Sequence, residues 1–108
     1  MTVELPGLVA EYFEAANTND ADRITACFAT DARVSDERQD FVGRQAIRQW
    51  AVEARRKYSF KSEPFVREGD DDAPVVRSHV TGNFPGSPVD LTYRFTLANG
   101  AITTLSIG

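Results

Sequence analysis

The chain has 108 residues, of which 42% are hydrophobic and 10% aromatic, so its size and composition fit one globular domain spanning residues 1–108. Sixteen acidic and twelve basic side chains give a formal charge of -4, which disfavours binding to nucleic acids and to anionic membranes. Because the sequence contains neither an apolar run long enough to span a membrane nor a recognisable signal peptide, we expect a cytoplasmic protein.

Two helices are predicted at the start of the chain. Apolar side chains recur at helical spacing from Leu5 to Ala16, which is typical of an amphipathic helix that ends near Asn17. Asp20 is the predicted N-cap of a short second helix that ends near Thr30. The buried stripe of this second helix is expected to contain Ile24, Cys27 and Phe28. The single cysteine is interpreted as a buried free thiol.

A short strand follows, and it carries an acid where the pattern demands an apolar side chain. The strand period of two places Ala32, Val34 and Asp36 on one face. Because Val34 should face the core, Asp36 should face it too. A carboxyl group directed at an apolar interior has a raised pKa unless it is paired. Asp36 is therefore either a structural partner or a proton-handling group.

A third helix is predicted to open at Gly43, after a polar stretch. Its apolar face contains Ile47, Trp50, Ala51, Ala54 and Tyr58. The cationic cluster Arg55, Arg56 and Lys57 closes this helix and suits the negative end of the helix dipole. We therefore interpret the cluster as a solvated face and not as an anion site.

The second half of the chain is predicted to form a sheet. Strands are expected at 59–68, 75–84, 89–98 and 101–107, and the turn signals between them include Asn99-Gly100, which is typical of a tight hairpin. Four such strands form a meander. Helices that come first and a sheet that comes last indicate an α+β fold.

Folding the Pro85–Pro88 turn on itself predicts the two faces of the central hairpin. One face is apolar and pairs Val80 with Tyr93 and Ser78 with Phe95. His79 then lies on the opposite, polar face. We interpret it as a hydrogen-bonded histidine exposed to solvent or to a subunit partner, and not as a base or a metal ligand.

Side chains from distant segments are expected to converge on the interior that Asp36 faces. Tyr12 lies on the apolar stripe of the first helix, Trp50 on that of the third, and Tyr93 on the inner face of the sheet. This predicts a cavity with an acid, two phenols and an apolar lining. The predicted ligand contacts are Trp50, Phe28, Val80 and Phe95. The alternative is a filled core in which Tyr12 or Tyr93 donates a hydrogen bond to Asp36.

Three segments, Glu11–Asn17, Ala26–Asp36 and Phe41–Trp50, resemble the NTF2-like superfamily, and within it the SnoaL-like, ketosteroid-isomerase-like branch. The most specific match is the Gly-x-x-Ala-Ile opening of the third helix. The resemblance implies a cone in which three N-terminal helices pack on a strongly curved, mostly antiparallel sheet. It also implies a ligand pocket at the open end and a homodimer formed through the sheet face.

The resemblance also implies roles for three residues. Asp36 falls where a ketosteroid isomerase holds its general-base aspartate, and Tyr12 falls where that enzyme holds its oxyanion-hole tyrosine. Tyr93 falls where the isomerase has a protonated carboxylic acid, and a phenol can donate the same kind of hydrogen bond.

Two functions are consistent with these residues. One is an isomerase or cyclase in which Asp36 removes a proton from a small apolar carbonyl compound. The other is a non-catalytic module that binds an apolar ligand or dimerises, with Asp36 in a static hydrogen bond. Because the sequence has no phosphate-binding glycine loop and no Cys/His metal spacing, we expect no cofactor and no metal.

Overall fold

Three helices and a six-stranded sheet make up the computed structural model, which describes residues 3–108 apart from the side chain of Arg55. The elements in chain order are α1 (Gly7–Asn17), α2 (Ala21–Ala26), β1 (Phe28–Asp36), β2 (Gln39–Val42), α3 (Arg44–Lys57), β3 (Phe60–Glu68), β4 (Val75–Gly82), β5 (Val89–Ala98) and β6 (Ala101–Ile107). The strand order is β2-β1-β6-β5-β4-β3, and only β1 and β6 pair in parallel within these residues. This arrangement confirms the predicted α+β fold.

The helix starts follow the predicted signals. The carboxylate of Asp20 accepts a hydrogen bond from the backbone N–H of Arg23 at 3.1 Å and caps α2. Gly43 precedes α3 with a φ of 89°, a left-handed value that favours glycine. None of the helices in residues 3–108 is long and apolar enough to cross a membrane.

The predicted end of the second helix is wrong. The structure ends α2 at Ala26, and Phe28 is the first residue of β1. The backbone N–H of Ile102 on β6 donates to the carbonyl of Cys27 at 2.8 Å, and Phe28 pairs with Ile102. Because pairing with β6 takes up these backbone groups, the chain leaves the helix one turn early.

Strand β2 was not predicted, and its turn explains why. A two-residue turn at Glu37 and Arg38 joins β1 to β2, with Asp36 paired to Gln39. Both turn residues have positive φ values, 51° and 65°, as a type I′ hairpin requires. Neither residue is glycine or asparagine, so the usual sequence signal for this turn is absent.

The last four strands form the predicted meander, but the register of its central hairpin differs. Val80 lies opposite Val89, and not opposite Tyr93. The shift is even, so the same side chains remain on the inner face. Strand β4 ends at Gly82 because Asn83 turns toward Ser59, whose backbone N–H donates to the Asn83 side-chain oxygen at 2.9 Å.

The core lies between the helices and one face of the sheet, which we call the inner face. Its largest fully buried side chains include Phe28, Phe95, Ile24, Ile47, Ile102 and Leu105. Cys27 is a buried free thiol, as predicted, and burial raises its pKa to about 11. The thiol is therefore protonated at neutral pH and packs as an uncharged side chain of the core.

Candidate functional site

A cavity of about 910 Å³ is bounded by α1, α3 and the inner face of the sheet. The residues of α3 that line the cavity recur at helical spacing, so they lie on one side of the helix. They are Ala46, Gln49, Trp50, Glu53, Ala54 and Lys57. The opposite wall is largely aromatic and aliphatic, with side chains from α1 and strands β2 to β5. Cavities that hold small molecules in proteins have about this volume.

Five of the predicted site residues line this cavity. They are Tyr12, Asp36, Trp50, Val80 and Tyr93. The two others, Phe28 and Phe95, are not part of its wall but lie behind it, with 0% and 2% of their surfaces exposed. Their ring centroids are 6.0 and 5.7 Å from that of Tyr12, in edge-to-face contacts. They support the tyrosine ring and do not border the cavity.

Asp36 is half-buried in the cavity wall, and its carboxyl group is paired with the indole of Trp50. The indole Nε1 donates to Asp36 Oδ2 at 3.0 Å. Burial raises the pKa of Asp36, because the charged form loses hydration. The bond from Trp50 and a backbone N–H at Glu37 act in the opposite direction, while the negative charge of Glu37 raises the pKa further.

The described partner of Asp36 differs from the one that the sequence suggested. Trp50 was predicted as a ligand contact, whereas the filled-core alternative gave Asp36 a tyrosine donor. The indole N–H of a buried tryptophan needs an acceptor, and this signal was available in the sequence. Which acid would supply the acceptor depended on how α3 packs against β1, which the sequence pattern does not specify.

The local fold fixes both members of this pair. Asp36 is the last residue of β1 and is held by its pairing with Gln39 across the tight turn. The ring of Phe41 on β2 packs against Trp50, with centroids 6.2 Å apart. The β1–β2 hairpin therefore carries the acid and also supports the indole that orients it.

A second polar group in the wall was not predicted. Ser62 on β3 lines the cavity, and its Oγ donates to Tyr93 Oη at 3.3 Å. The hydroxyl groups of Ser62 and Ser78 are also hydrogen-bonded to each other. Both serines are buried, at 2% and 0% exposure, in strands where the pattern predicts apolar side chains. The sequence feature that could have identified these serines is their position on strands, where the alternation directs them toward the core.

The buried rings of Tyr12, Phe13 and Tyr93 lie together in the cavity wall. The centroids of Phe13 and Tyr93 are 4.9 Å apart, and those of Tyr12 and Tyr93 are 6.5 Å apart. The two phenols predicted from the sequence are therefore neighbours. They reach the same cavity as Asp36, which confirms the predicted convergence of three segments.

On the opposite face of the sheet, the outer face, His79 Nδ1 lies 2.7 Å from Asp90 Oδ1. Both side chains are about half exposed, at 49% and 43%. The interpretation of His79 as a hydrogen-bonded histidine on the outer face is thus confirmed. Phe65 is also exposed on the protein surface, with the guanidinium of Arg77 5.6 Å from its ring centroid.

No group of three or more His, Cys, Asp or Glu side chains in residues 3–108 is arranged to hold a metal ion. The acids that border the cavity are Asp36, Glu37 and Glu53. The chemistry available from the described residues of the cavity wall is thus that of carboxyl groups, hydroxyl groups, an indole N–H and the amine of Lys57.

Comparison with known proteins identifies the family, since residues 9–105 match the SnoaL-like domain. The chain belongs to the SnoaL-like domain family. A proposed polyketide cyclase from Sinorhizobium meliloti is 44% identical to this SnoaL-like protein, with a TM-score of 0.92 over 96% of this chain and 95% of that one. None of the curated proteins matches the chain.

More distant structures share the fold of this SnoaL-like protein. A protein from Catenulispora acidiphila with a ketosteroid isomerase-like fold, solved with trimethylamine, has a TM-score of 0.85 at 15% identity, over 97% and 86% of the two chains. A proposed ketosteroid isomerase from Kribbella flavida has a TM-score of 0.80 at 12% identity, over 94% and 74%. At these identities the likeness concerns the fold alone. The resemblance to the SnoaL-like branch is confirmed.

Proposed function

We propose that this SnoaL-like protein is a small-molecule isomerase or cyclase that uses Asp36 as its general base. The observation that carries the proposal is the half-buried carboxyl group in the cavity wall, whose pKa is raised by burial and whose described donor is an uncharged indole. The salt bridges described for residues 3–108 do not include Asp36. A carboxylate without a countercharge is a stronger base than one in an ion pair.

The proposed reaction begins on a carbon next to a carbonyl group. Asp36 accepts the proton from that carbon, and the electron pair of the broken C–H bond moves to the carbonyl oxygen to form an enolate. In an isomerisation, Asp36 returns the proton to another carbon of the same conjugated system. In a cyclisation, the enolate carbon attacks a second carbonyl carbon within the substrate, and that carbonyl oxygen takes up the proton.

The enolate oxygen needs hydrogen-bond donors. Tyr12 and Tyr93 line the cavity and are the proposed donors, and a preorganised donor of this kind contributes about 3 kcal/mol to stabilising a transition state. Trp50 orients the base, because its N–H holds one carboxyl oxygen in place. The aromatic and aliphatic wall, which includes Val80, favours a largely apolar substrate.

The 44% identical relative from Sinorhizobium meliloti supports this class of reaction, since its name proposes a polyketide cyclase. Polyketide cyclisation requires an enolate, and an enolate requires a base beside a carbonyl compound. The single acid paired with Trp50 meets this requirement without a cofactor.

The test measures proton removal from a simple ketone, 2-indanone, by following exchange of its α-protons in D₂O with NMR. We expect Asp36→Asn to lower the protein-catalysed exchange rate at least about 100-fold, because the base is lost. The matched control is Asp90→Asn on the outer face, which should retain the rate within about twofold. Equal rates in the wild type and Asp36→Asn would contradict the proposal.

A second candidate function is a non-catalytic binding module, favoured by the fact that Trp50 already satisfies Asp36 with a hydrogen bond. Trp50 is the single tryptophan of the chain and lines the cavity, so its fluorescence reports ligand binding directly. A binding module would change its emission on titration with 2-indanone but would catalyse no exchange. The isomerase or cyclase would show both signals.

A further inference from the structure

We propose that the aromatic cluster of Tyr58, Phe60 and Phe84 is a subsite for an aliphatic tail, so that the preferred ligand is a straight-chain ketone. The three rings line the cavity and are partly exposed there. The proposal rests on the proposed function for the position of the carbonyl group at Asp36, but the tail subsite concerns binding alone. None of the three rings was among the site residues predicted from the sequence.

Helix α3 gives the distance from the acid to this aromatic cluster. Trp50, which donates to Asp36, and Lys57, which precedes Tyr58, both line the cavity. They are separated by two helical turns, or about 10 Å along the helix axis. A ligand whose carbonyl group lies at Asp36 needs an extension of about this length to reach the cluster. The cavity volume of about 910 Å³ is at the upper end of the range for small-molecule sites, so it has room for such an extension.

Gly82 brings the end of β4 close to the start of β3. It pairs with Phe60, and a Cβ atom at this position would overlap the carbonyl oxygen of Ser59 and the backbone of Phe60. This close approach therefore requires glycine. Asn83 accepts from the Ser59 N–H at 2.9 Å through its side chain and donates its own backbone N–H to the Ser59 carbonyl at 3.1 Å. These contacts attach the loop of residues 83–88 to β3 and place Phe84 beside Phe60.

The same loop is also bonded within itself. The hydroxyl group of Ser87 accepts from the Gly82 N–H at 2.9 Å, and the Ser87 N–H donates to the Phe84 carbonyl at 3.2 Å. The side chain of Phe84 takes part in none of these bonds. Replacing the ring should therefore leave the loop in place, and a subsite that is already ordered loses little entropy when a ligand binds.

The angles between the rings favour an aliphatic chain over a flat ring system. Phe84 meets Tyr58 with centroids 6.2 Å apart and planes at 69°, and it meets Phe60 at 6.5 Å and 90°. Edge-to-face rings do not form parallel walls between which a flat ligand could stack. The aliphatic side chains of the sheet that line the cavity are Val80, Val89, Leu91 and Ile107. A flexible chain can follow such a surface, and each methylene group that it buries adds affinity.

The charges of the cavity wall favour a tail that ends in a methyl group. Lys57 supplies the basic group described in this wall, and its amine lies 5.7 Å from the centroid of the Tyr58 ring in a cation–π contact. Asp36, Glu37 and Glu53 supply three acids. Because the whole chain is also acidic, with a formal charge of -4, its field disfavours an anionic end group.

The test measures the dissociation constants of 2-butanone, 2-hexanone, 2-octanone and 2-decanone by Trp50 emission and by calorimetry. Extended 2-decanone reaches about 10 Å beyond its carbonyl carbon, since each carbon–carbon bond of about 1.5 Å advances the chain by about 1.25 Å. We expect the affinity of the wild type to rise about threefold for each added methylene group, and at least about 100-fold from 2-butanone to 2-decanone. An affinity that stops rising at 2-hexanone, which is too short to reach the cluster, would overturn the proposal.

Phe84→Ala tests the cluster itself. It should lower the preference for 2-decanone over 2-butanone at least about tenfold, because the end of the long chain loses its contacts, and should change the affinity for 2-butanone less than about twofold. The matched control is Phe65→Ala, which removes a phenyl ring that is 46% exposed on β3 and lies outside the cavity wall. This control should keep the wild-type preference, and equal preferences in the two variants would overturn the proposal.

Ala54→Leu tests the path to the cluster without changing its rings. Ala54 lines the cavity between Trp50 and Lys57, and leucine is a good helix former, so the variant should fold. The larger side chain should narrow the path, so that affinity stops rising near 2-hexanone while 2-butanone binds as before. A wild-type dependence on chain length in Ala54→Leu would overturn the path along α3.

Two further ketones test the chemistry of the tail. The ion 9-oxodecanoate has the chain of 2-decanone with a carboxylate in place of the last methyl group, and it should bind at least about tenfold more weakly than 2-decanone. Tighter binding would overturn the apolar end. The bicyclic ketone 2-tetralone has as many carbon atoms as 2-decanone but is compact, so Phe84→Ala should leave its affinity unchanged. A loss as large as that of 2-decanone would overturn the preference for a chain.

These measurements are separate from the test of the general base. Binding of the ketones requires no proton transfer, so a failure of Asp36 to catalyse exchange leaves the dependence on chain length measurable. Conversely, loss of exchange in Asp36→Asn together with a wild-type affinity that does not depend on chain length would overturn only the tail subsite.

Discussion

The two faces of the sheet each contain an aspartate paired with a nitrogen heterocycle, but in different surroundings. On the inner face, Asp36 accepts a hydrogen bond from Trp50 at 3.0 Å in a largely apolar cavity wall. On the outer face, Asp90 meets His79 at 2.7 Å with both side chains about half exposed. The comparison shows that a short hydrogen bond does not by itself decide what an acid can do.

Solvent and the partner's charge make the difference. An indole cannot carry a positive charge near neutral pH, so Trp50 orients Asp36 without neutralising it. Burial then dominates and raises the pKa of Asp36. Histidine can be protonated, and at the exposed outer pair water screens the interaction, so such a pair contributes little to stability or to reactivity.

The largest difference in exchange rate should come from removing one hydroxyl group on each side of the sheet. Tyr12→Phe removes a proposed oxyanion donor in the cavity, and we expect it to lower the rate of 2-indanone exchange about 100-fold. Thr96 is exposed on β5, and its hydroxyl group is hydrogen-bonded to those of Thr103 and Thr104. Thr96→Val removes this hydroxyl group and should change the rate less than about twofold. Similar rates for the two variants would contradict the oxyanion role of Tyr12.

Removing the heterocycle on each face should give a smaller contrast. Trp50→Phe deletes the N–H that orients Asp36, so the exchange rate should fall about tenfold. The lost bond favoured the charged carboxylate, so the pKa of Asp36 should rise and the pH–rate curve should move to higher pH. His79→Gln should change neither the rate nor the curve, and a curve that stays in place in Trp50→Phe would rule out the pairing as the control of the base.

The homodimer predicted through the sheet would use the outer face. Arg94 is exposed on β5 opposite Val75 of β4, and the strand alternation places it on the same face of the sheet as Arg77 and His79. If two copies pair through this face, Arg94→Glu should weaken the dimer about tenfold by changing the charge within the contact. Light scattering over a dilution series checks this, with the inner-face variant Asp36→Asn as the control. A wild type that is monomeric throughout would end the dimer prediction.

The smallest contrast concerns stability against pH. Because the folded pKa of Asp36 is raised, the folded state binds its proton more tightly than the unfolded chain does. This contribution to stability is fully present below the unfolded pKa, for which the ordinary value is 3.8, and is lost as the pH rises through the folded pKa. Asp36→Asn should therefore gain stability relative to the wild type across this range.

Urea unfolding at a series of pH values measures that gain. The asparagine amide oxygen still accepts from Trp50, so the variant should fold normally. Asp90→Asn serves as the control for removing an acid on the outer face. A stability difference for Asp36→Asn that falls as the pH rises would mean that Asp36 is stabilised in its charged form.

Periodicity predicted most of this architecture, and it failed where single backbone positions decide the outcome. Alternation along β5 correctly assigned Tyr93 to the inner face, and the even shift of the central hairpin left that assignment intact. The β1–β2 hairpin was missed because Glu37 and Arg38 adopt left-handed conformations that the sequence does not signal. A local pattern cannot report a turn that its neighbours impose.

The candidate site shows the same limit. Asp36, Tyr12 and Tyr93 could be found from an acid at an apolar position and from aromatic stripes. Phe28 was misplaced because the second helix ends early, and Phe95 because a buried ring can lie in or behind a wall. Ser62 was overlooked because its hydroxyl contacts are with Ser78 and Tyr93, which lie on other strands.

The most direct test of the account is a titration of the side-chain carboxyl groups by carbon-detected NMR. The account predicts that Asp36 titrates above the ordinary aspartate value of 3.8, and that its midpoint rises further in Trp50→Phe. A midpoint for Asp36 below the ordinary value would show that the folded protein stabilises its charge, and would contradict its role as the general base.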